Sequence, residues 1–387
     1  MIVVAAILAL VLGVPAILFA IECVLGAWGL REIAGGEAPP FAVLIPAHNE
    51  AGGIGATIDA LLAALRPGDR VLVVADNCTD DTAERARAAG AEVVERHDLQ
   101  RRGKGYALAH GRQVLAQRPP AIVIVMDADC WTDPQGLREL AAEAARSDAS
   151  VQARYLFDTP ASADARVQIS SFALLVKNVV RQRGLRRLGA PAILQGTGMA
   201  FPWRAFEQAR LDTGAIAEDL EIGIHLLRAG HAVGWTEKTT VWSRPASKDA
   251  TLTQRTRWEH GFVSTALSTA PRLLGVGLGK GKPSLLVLAA DLLVPPLAML
   301  VALVVLGLAA SALLFVLTGS AAPLIVAGLA LGAIALGTTV AWAAEGRRVL
   351  PLAALVKTPL YVAWKLPIYA RLLGRREKQW VRTARED

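Results

Sequence analysis

Val123-Ile124-Val125-Met126-Asp127-Ala128-Asp129 decides how the rest of the chain reads. An apolar, β-branched run ends abruptly in two carboxylates spaced i and i+2. Alternate residues of an extended chain lie on the same side, so Asp127 and Asp129 project together from a strand end. Two hard oxygen donors on one side suit Mg²⁺ or Mn²⁺, which bind through one or two carboxylates plus substrate phosphates. The plainer alternative is a solvated turn, which Asp133-Pro134 just beyond also suits.

Outward from this run, the pattern repeats. Phe41–Ile45, Val71–Ala75, Glu92–Val94 and Ile122–Met126 read as strands. Ala51–Leu65, Asp80–Ala89, Gly105–Gln117 and Pro134–Ser147 read as helices between and after them. This βαβα rhythm predicts an α/β fold with a mostly parallel sheet and helices on both faces. Polar groups follow three of the strands: His48-Asn49-Glu50, Asp76-Asn77 and Asp127-Ala128-Asp129. Ligands of such sheets bind outside the carboxyl ends of the strands, so these three groups point to one shared site.

The ends of the chain differ from the middle. Of the 387 residues, 53% are hydrophobic and only 19% charged, against about 25% charged in an ordinary soluble domain. Ile2–Ile21 carries no charge and is long enough to cross a bilayer. No Lys or Arg precedes Arg31, so an uncleaved anchor is expected rather than a signal peptide. Leu285–Leu317 holds one charge, Asp291, and a Pro295-Pro296 pair that predicts a kink. Leu324–Ala344 is a further span. Residues 349–373, with Lys357, Lys365 and three prolines, read as an interfacial or re-entrant segment, with a fourth crossing as the alternative. The first choice keeps Arg375, Arg376, Lys378, Arg382 and Arg385 on the cytoplasmic side, as the positive-inside rule asks.

The expected organisation is an anchor over 1–30, a cytoplasmic catalytic domain over 38–260, an interfacial segment over 261–283, two spans over 284–346, and an interfacial helix with a basic tail over 347–387. The expected location is a bacterial inner membrane. A net charge of +7 suits anionic lipids and phosphate-bearing ligands. No basic stretch is interleaved with aromatics, so nucleic acid is discounted. Cys23, Cys78 and Cys130 are too scattered for a disulfide framework or a zinc site.

Four further motifs bear on chemistry. Ala217-Glu218-Asp219-Leu220-Glu221 opens a helix with three acids, which serve either as dipole-favoured capping or as a general base. Gln254-Arg255-Thr256-Arg257-Trp258 sets Gln254, Arg257 and Trp258 on one helical face. The Arg fork suits phosphate oxygens and the Trp a sugar face, while a basic helix resting on lipid also fits. Arg101-Arg102-Gly103-Lys104-Gly105 is a weak phosphate-contact pattern opening a helix. Gln195-Gly196-Thr197-Gly198 would let backbone approach a ligand, though a plain turn is its default reading. Arg181, Arg183, Arg186 and Arg187 read as a solvated face before a lipid-phosphate site.

Together, Ile45-Pro46-Ala47-His48-Asn49-Glu50, Asp76-Asn77, Lys104, Asp127-Ala128-Asp129, Glu218-Asp219 and Gln254-Arg255-Thr256-Arg257-Trp258 resemble, in order, glycosyltransferase family 2. The similar branch is the membrane-bound one that includes cellulose and hyaluronan synthases. The resemblance implies a GT-A fold and an inverting enzyme using a nucleotide-diphosphate sugar, UDP-linked in preference to GDP-linked. It implies that Glu50, Asp76 and Lys104, with Pro46, lie along the nucleoside and ribose end of the donor. Asp127 and Asp129 would hold Mg²⁺ or Mn²⁺ on the diphosphate, and Gln254 and Arg257 would grip it. Asp219, beside Glu218, would be the base. Gly196, Thr197, Gly198 and Trp258 would line the acceptor side.

Ala217 stands where the synthases carry Thr. Three spans are also fewer than a polymer channel needs, so addition of one or a few sugars to a lipid-linked or glycan acceptor is expected. The alternatives are a processive synthase with an export or assembly partner protein, a sugar-phosphate nucleotidyltransferase, and a nucleotide-binding sensor without catalysis.

Overall fold

The computed structural model describes residues 1–31, 36–215, 217–245 and 248–374, with side chains described throughout except at 248–255, 257 and 372–374. Strand β1 spans Phe41–Ala47, β2 Arg70–Asp76, β3 Glu92–Arg96, β4 Ile122–Val125, β5 Cys130–Thr132, β6 Ser150–Phe157, β7 Met199–Pro202 and β8 Val233–Ser243. They form one eight-stranded sheet in the order β3-β2-β1-β4-β7-β6-β8-β5. β1 runs parallel to β2 and β4, and β2 to β3. β7 is antiparallel to both β4 and β6, β6 is parallel to β8, and β5 is antiparallel to β8. This is the mixed, mostly parallel α/β sheet that the alternation predicts.

The parallel half is legible because its central strands are covered on both faces and so read as continuous apolar runs. Ile122–Val125 is buried at every position. The helices Ile54–Leu62, Thr82–Ala88, Lys104–Leu115 and Gly136–Ser147 pack against this half. The first begins three residues later than expected, because Gly52-Gly53 costs a helix more backbone entropy than other residues do.

The antiparallel half was not read from the sequence, for a physical reason. β8 buries Thr236, Thr239, Thr240 and Ser243, so its core face does not look apolar. Their hydroxyls find partners inside the sheet unit. Thr239 Oγ1 donates to the Gly136 carbonyl at 2.9 Å and Arg154 Nε donates to Thr240 Oγ1 at 2.9 Å.

Contacts divide the chain into two units. Of the described residues, the sheet unit comprises Leu30–Asp158 and Ala192–Phe262, and the helical unit Met1–Gly29, Thr159–Pro191 and residues 263–374. Thr159–Pro191 thus groups with the apolar ends rather than with the surrounding 38–260 segment. The helix Lys248–Gly279 runs continuously through the boundary expected at 260/261.

The helical unit contains Ile2–Leu25, Leu297–Thr318 and Ala322–Ala344, three helices long and apolar enough to cross a membrane among the described residues. Leu285–Leu317 is two helices rather than one kinked span: Pro283–Leu292 ends before Pro295-Pro296, and Leu297–Thr318 starts after it. Each proline lacks a donor, and the residue before a proline is pushed out of the helical region. Residues 349–373 form the short helix Leu352–Leu355 and the helix Thr358–Gly374. The basic tail from Arg375 onward lies outside the described residues.

The arginine cluster is also corrected. Arg181 and Arg183 are buried rather than part of a solvated face, while Arg186 and Arg187 are exposed as expected. Arg181 is 8% exposed, and its guanidinium pairs with Glu22, at 2.6 Å, and with Asp291, which are 0% and 2% exposed. Arg183 pairs with Glu345 at 2.6 Å. Arg187 donates to the carbonyls of Trp28 and Gly29 at 2.9 and 2.8 Å. Close approach makes this possible. A Cβ on Gly184 would strike the Glu22 backbone, and one on Gly26 the Val180 carbonyl.

Candidate active site

The parallel register places the polar groups. Ala47 is level with Ala75, Asp76 with Arg96, and Leu44 with Val125. The chain after β1, β2 and β4 therefore leaves from one lip of the sheet. Asn49 and Asn77 make the turns there with φ of 56° and 52°, left-handed values that Asn tolerates better than most residues. Each Asn amide is used to hold its turn. Asn49 Oδ1 accepts from Thr79 N at 2.7 Å, and Asn77 Oδ1 from Asp98 N at 2.7 Å.

On the β2 side, His48 Nδ1 donates to the Asp76 carbonyl at 2.7 Å, and the Glu50 amide donates to Thr82 Oγ1 at 2.8 Å. The Asp76 carboxylate accepts from Arg96 Nη1 at 2.6 Å and from Asn77 Nδ2 at 3.0 Å. Arg96 also lies over the Tyr106 ring, 5.6 Å from its centroid. Sequence reasoning passed over Arg96. Its signal was its place at the end of a strand next to the one bearing Asp76. Pro46 lies within β1, opposite Val74.

The second group gathers residues from four distant segments. Lys104 Nζ donates to the Asp127 carboxylate and, at 2.7 Å, to the Gly196 carbonyl. The Asp127 amide donates to Thr197 Oγ1 at 3.1 Å. A Cβ on Gly196 would lie 3.5 Å from Asp219 Oδ2 and 3.6 Å from Lys104 Nζ, and Gly196 has a φ of +90°. Glycine is thus favoured there by backbone conformation, and the two side chains lie in ordinary contact range of it. Glu218 and Asp219 open the helix Glu218–Ala229, as expected. Lys104 pairs with Asp127 and Gly196, whereas the resemblance groups it with Glu50 and Asp76 at the nucleoside end of the donor.

The electrostatics follow from this crowding. Burial, followed by the neighbouring Asp219 carboxylate, pushes the Glu218 carboxyl up to about 8. Burial opposes the charge on Lys104, but Asp127, Glu218 and Asp219 outweigh it and hold the ammonium above its ordinary value. The group therefore keeps its cation while one of its carboxyls holds a proton near neutrality.

Asp127, Asp129 and Cys130 bring a ligand atom each to within 4.8 Å of one another. Burial pushes the Cys130 thiol up. Asp127 and Asp129 supply two hard carboxylates, a donor set that fits Mg²⁺ or Mn²⁺. Trp258 is half-buried and stacks on Phe157, with centroids 6.3 Å apart and planes at 20°. Gln254 and Arg257 belong to the same helix, Lys248–Gly279, but their side chains lie outside the described residues.

A mixed, mostly parallel sheet with polar side chains along one lip and a carboxylate–lysine group beside it is an α/β fold of the GT-A class. The chain belongs to glycosyltransferase family 2: the family described as "Glycosyltransferase like family 2" matches residues 39–261. It is 44% identical over 101 residues to an uncharacterized glycosyltransferase of Mycobacterium tuberculosis, covering 26% of this chain and 42% of the relative. It is 25% identical over 240 residues to the probable glycosyltransferase YdaM of Bacillus subtilis, covering 58% of this chain and 56% of that one. The chain thus spans about half or less of the length of the relatives it matches.

Among solved structures it resembles the mannosyltransferase PcManGT of Pyrobaculum calidifontis in complex with GDP-Man and Mn²⁺. The TM-score is 0.59 at 19% identity, over 97% of this chain and 99% of that one. That likeness is one of fold. Family and GT-A fold are as the sequence led us to expect.

Proposed function

We propose that this chain is an inverting glycosyltransferase that moves a sugar from a nucleotide-diphosphate donor to a lipid-linked or glycan acceptor at the inner leaflet of a bacterial membrane. The observation that carries the proposal is the meeting of Lys104, Asp127, Gly196 and Asp219 beside the strand ends that bear Glu50 and Asp76.

Strands lie about 4.8 Å apart, so the lip from β3 to β4 offers about 14 Å for an extended donor. In this reading Pro46, Glu50 and Asp76 flank the nucleoside end. Asp127 and Asp129 would hold the divalent cation, which supplies neutralisation of the departing diphosphate when bound. Lys104, a compact point charge, is within reach of the same oxygens. Asp219 takes the proton of the acceptor hydroxyl as that oxygen attacks the anomeric carbon from the side opposite the diphosphate. A single displacement inverts the centre. Glu218, protonated near neutrality, would not compete with Asp219 for the acceptor's proton. Gln254 and Arg257 extend the grip on the diphosphate, and Gly196, Thr197, Gly198 and Trp258 border the acceptor.

The GDP-Man and Mn²⁺ held by PcManGT support a nucleotide sugar and a divalent cation here, and bring GDP-sugars level with UDP-sugars as donors. The three apolar helices support a membrane setting. Arg31, Arg347 and Arg348 would then all lie on the cytoplasmic side, as the positive-inside rule asks. The test is a screen of UDP- and GDP-sugars with purified full-length protein in Mn²⁺, Mg²⁺ or EDTA. Metal-dependent release of nucleoside diphosphate is expected. Release of pyrophosphate instead would make the chain a nucleotidyltransferase.

A further inference from the structure

The loop Gln195-Gly196-Thr197-Gly198 is held from the sheet by a residue that sequence reasoning did not single out. Gln152 on β6 is fully buried. Its Oε1 accepts from the Gln195 amide at 2.8 Å, and its Nε2 donates to the carbonyls of Thr197, at 2.9 Å, and Ala153, at 2.8 Å. On the flank, the Leu194 side chain packs about 3.4 Å from where a Cβ on Gly223 would lie. The loop backbone is therefore gripped on both sides of Gln195, yet the Gln195 side chain is not. Its Nε2 and Oε1 are both enclosed, and neither has a hydrogen-bond partner among the described residues. Native proteins leave few buried polar atoms in this state, because each forfeits its hydrogen bonds to water. Two on one carboxamide, on a half-buried side chain beside a pinned loop, are satisfied once that side chain turns out to a ligand.

The chemistry of that ligand follows from the amide. A carboxamide donates at one end and accepts at the other. A sugar hydroxyl both accepts and donates, so two neighbouring ring hydroxyls satisfy both ends. A phosphate diester only accepts, and a hydrocarbon chain does neither. The next residue, Gly196, holds Lys104 through its carbonyl and faces Asp219, which puts the loop on the side of the base rather than of the nucleoside.

We propose that Gln195 is a specificity-determining contact to the acceptor, holding ring hydroxyls next to the one that Asp219 deprotonates. The acceptor is accordingly a glycan or a glycan-bearing lipid, not a bare lipid phosphate. This rests on the glycosyltransferase reading above and narrows its acceptor.

The experiment compares wild type with Gln195→Leu, which keeps the size and removes both polar ends, and Gln195→Glu, which keeps the length and the acceptor oxygen. Three quantities are read on full-length protein: transfer to alkyl glycosides, short oligosaccharides and sugar-free polyprenyl monophosphate; hydrolysis of the donor by water; and the thermal midpoint. Wild type is expected to use a glycoside. Gln195→Leu should raise its KM by about ten- to a hundredfold, the size of one or two lost hydrogen bonds, with Gln195→Glu between.

Donor hydrolysis should stay within about twofold and the midpoint should hold or rise, since no stranded amide remains. Unchanged acceptor KM in Gln195→Leu would overturn the proposal. So would hydrolysis falling in step with transfer, or exclusive use of the sugar-free phosphate. A wild type that neither hydrolyses nor transfers any nucleotide sugar sinks the enzyme reading itself, and this proposal with it.

Discussion

Two groups of enclosed charge, one in each unit, are built from the same chemistry and end in different roles. In the sheet unit, Lys104 stands among Asp127, Glu218 and Asp219, all of them half-buried and mounted on strand ends or first helical turns. In the helical unit, Arg181 stands between Glu22 and Asp291, all nearly fully buried and mounted within or at the ends of helices. Strand ends and helix starts leave groups reachable, so their charge can be matched by a substrate. Helix flanks brought together through Gly26 and Gly184 close over their charges, so those can only be matched by one another. The difference shows that residue type does not separate a site from a staple. The element that carries the residue does.

The comparison is sharpened most by Asp219→Asn. Loss of a general base should lower turnover by about 10²- to 10⁴-fold, while the affinity for nucleoside diphosphate with Mn²⁺, read by calorimetry, stays within about threefold. A parallel fall in donor affinity would move Asp219 from chemistry to binding. Arg181→Met acts on the other cluster. It strands two buried carboxylates and should destabilise the helical unit by about 3–5 kcal/mol, read as a lower thermal midpoint and folded yield in detergent. If the midpoint is unmoved, the triad is not a staple and the contrast fails.

Gly184→Ala tests the closure itself. A methyl group driven against the Glu22 backbone should cost about 1–3 kcal/mol by overpacking, seen in the same melting experiment. A pH dependence is also expected. With its folded pKa raised from 4.5 to about 8, Glu218 binds its proton more tightly folded than unfolded. Its contribution is present in full below pH 4.5 and is lost as pH rises through about 8. The midpoint of the donor-free protein should decline over that window, and Glu218→Gln should flatten the decline. An equally steep curve in Glu218→Gln would place the titration elsewhere.

The parallel half of the fold was legible because burial on both faces writes itself as apolar runs such as Ile122–Val125. The candidate site residues were legible where they follow such runs, as Glu50, Asp76 and Asp127 do. Arg96 and Gln152 were not, because each acts through a partner on another strand or loop. Arg181 and Arg183 read as solvated for the same reason: their counter-charges lie more than a hundred residues away in sequence.

The sequence by itself determined the family, the alternation of strand and helix, the three apolar helices and the order of the motifs. All are properties of residue type and local period, which need no knowledge of distant contacts. Only the tertiary structure decided that Lys104 joins Asp127 and Gly196, that Asp219 faces the same loop, and that Arg181 is sealed between two acids. Those are statements about which distant groups share a few ångströms, and in a folded chain that is set by sheet register and helix packing.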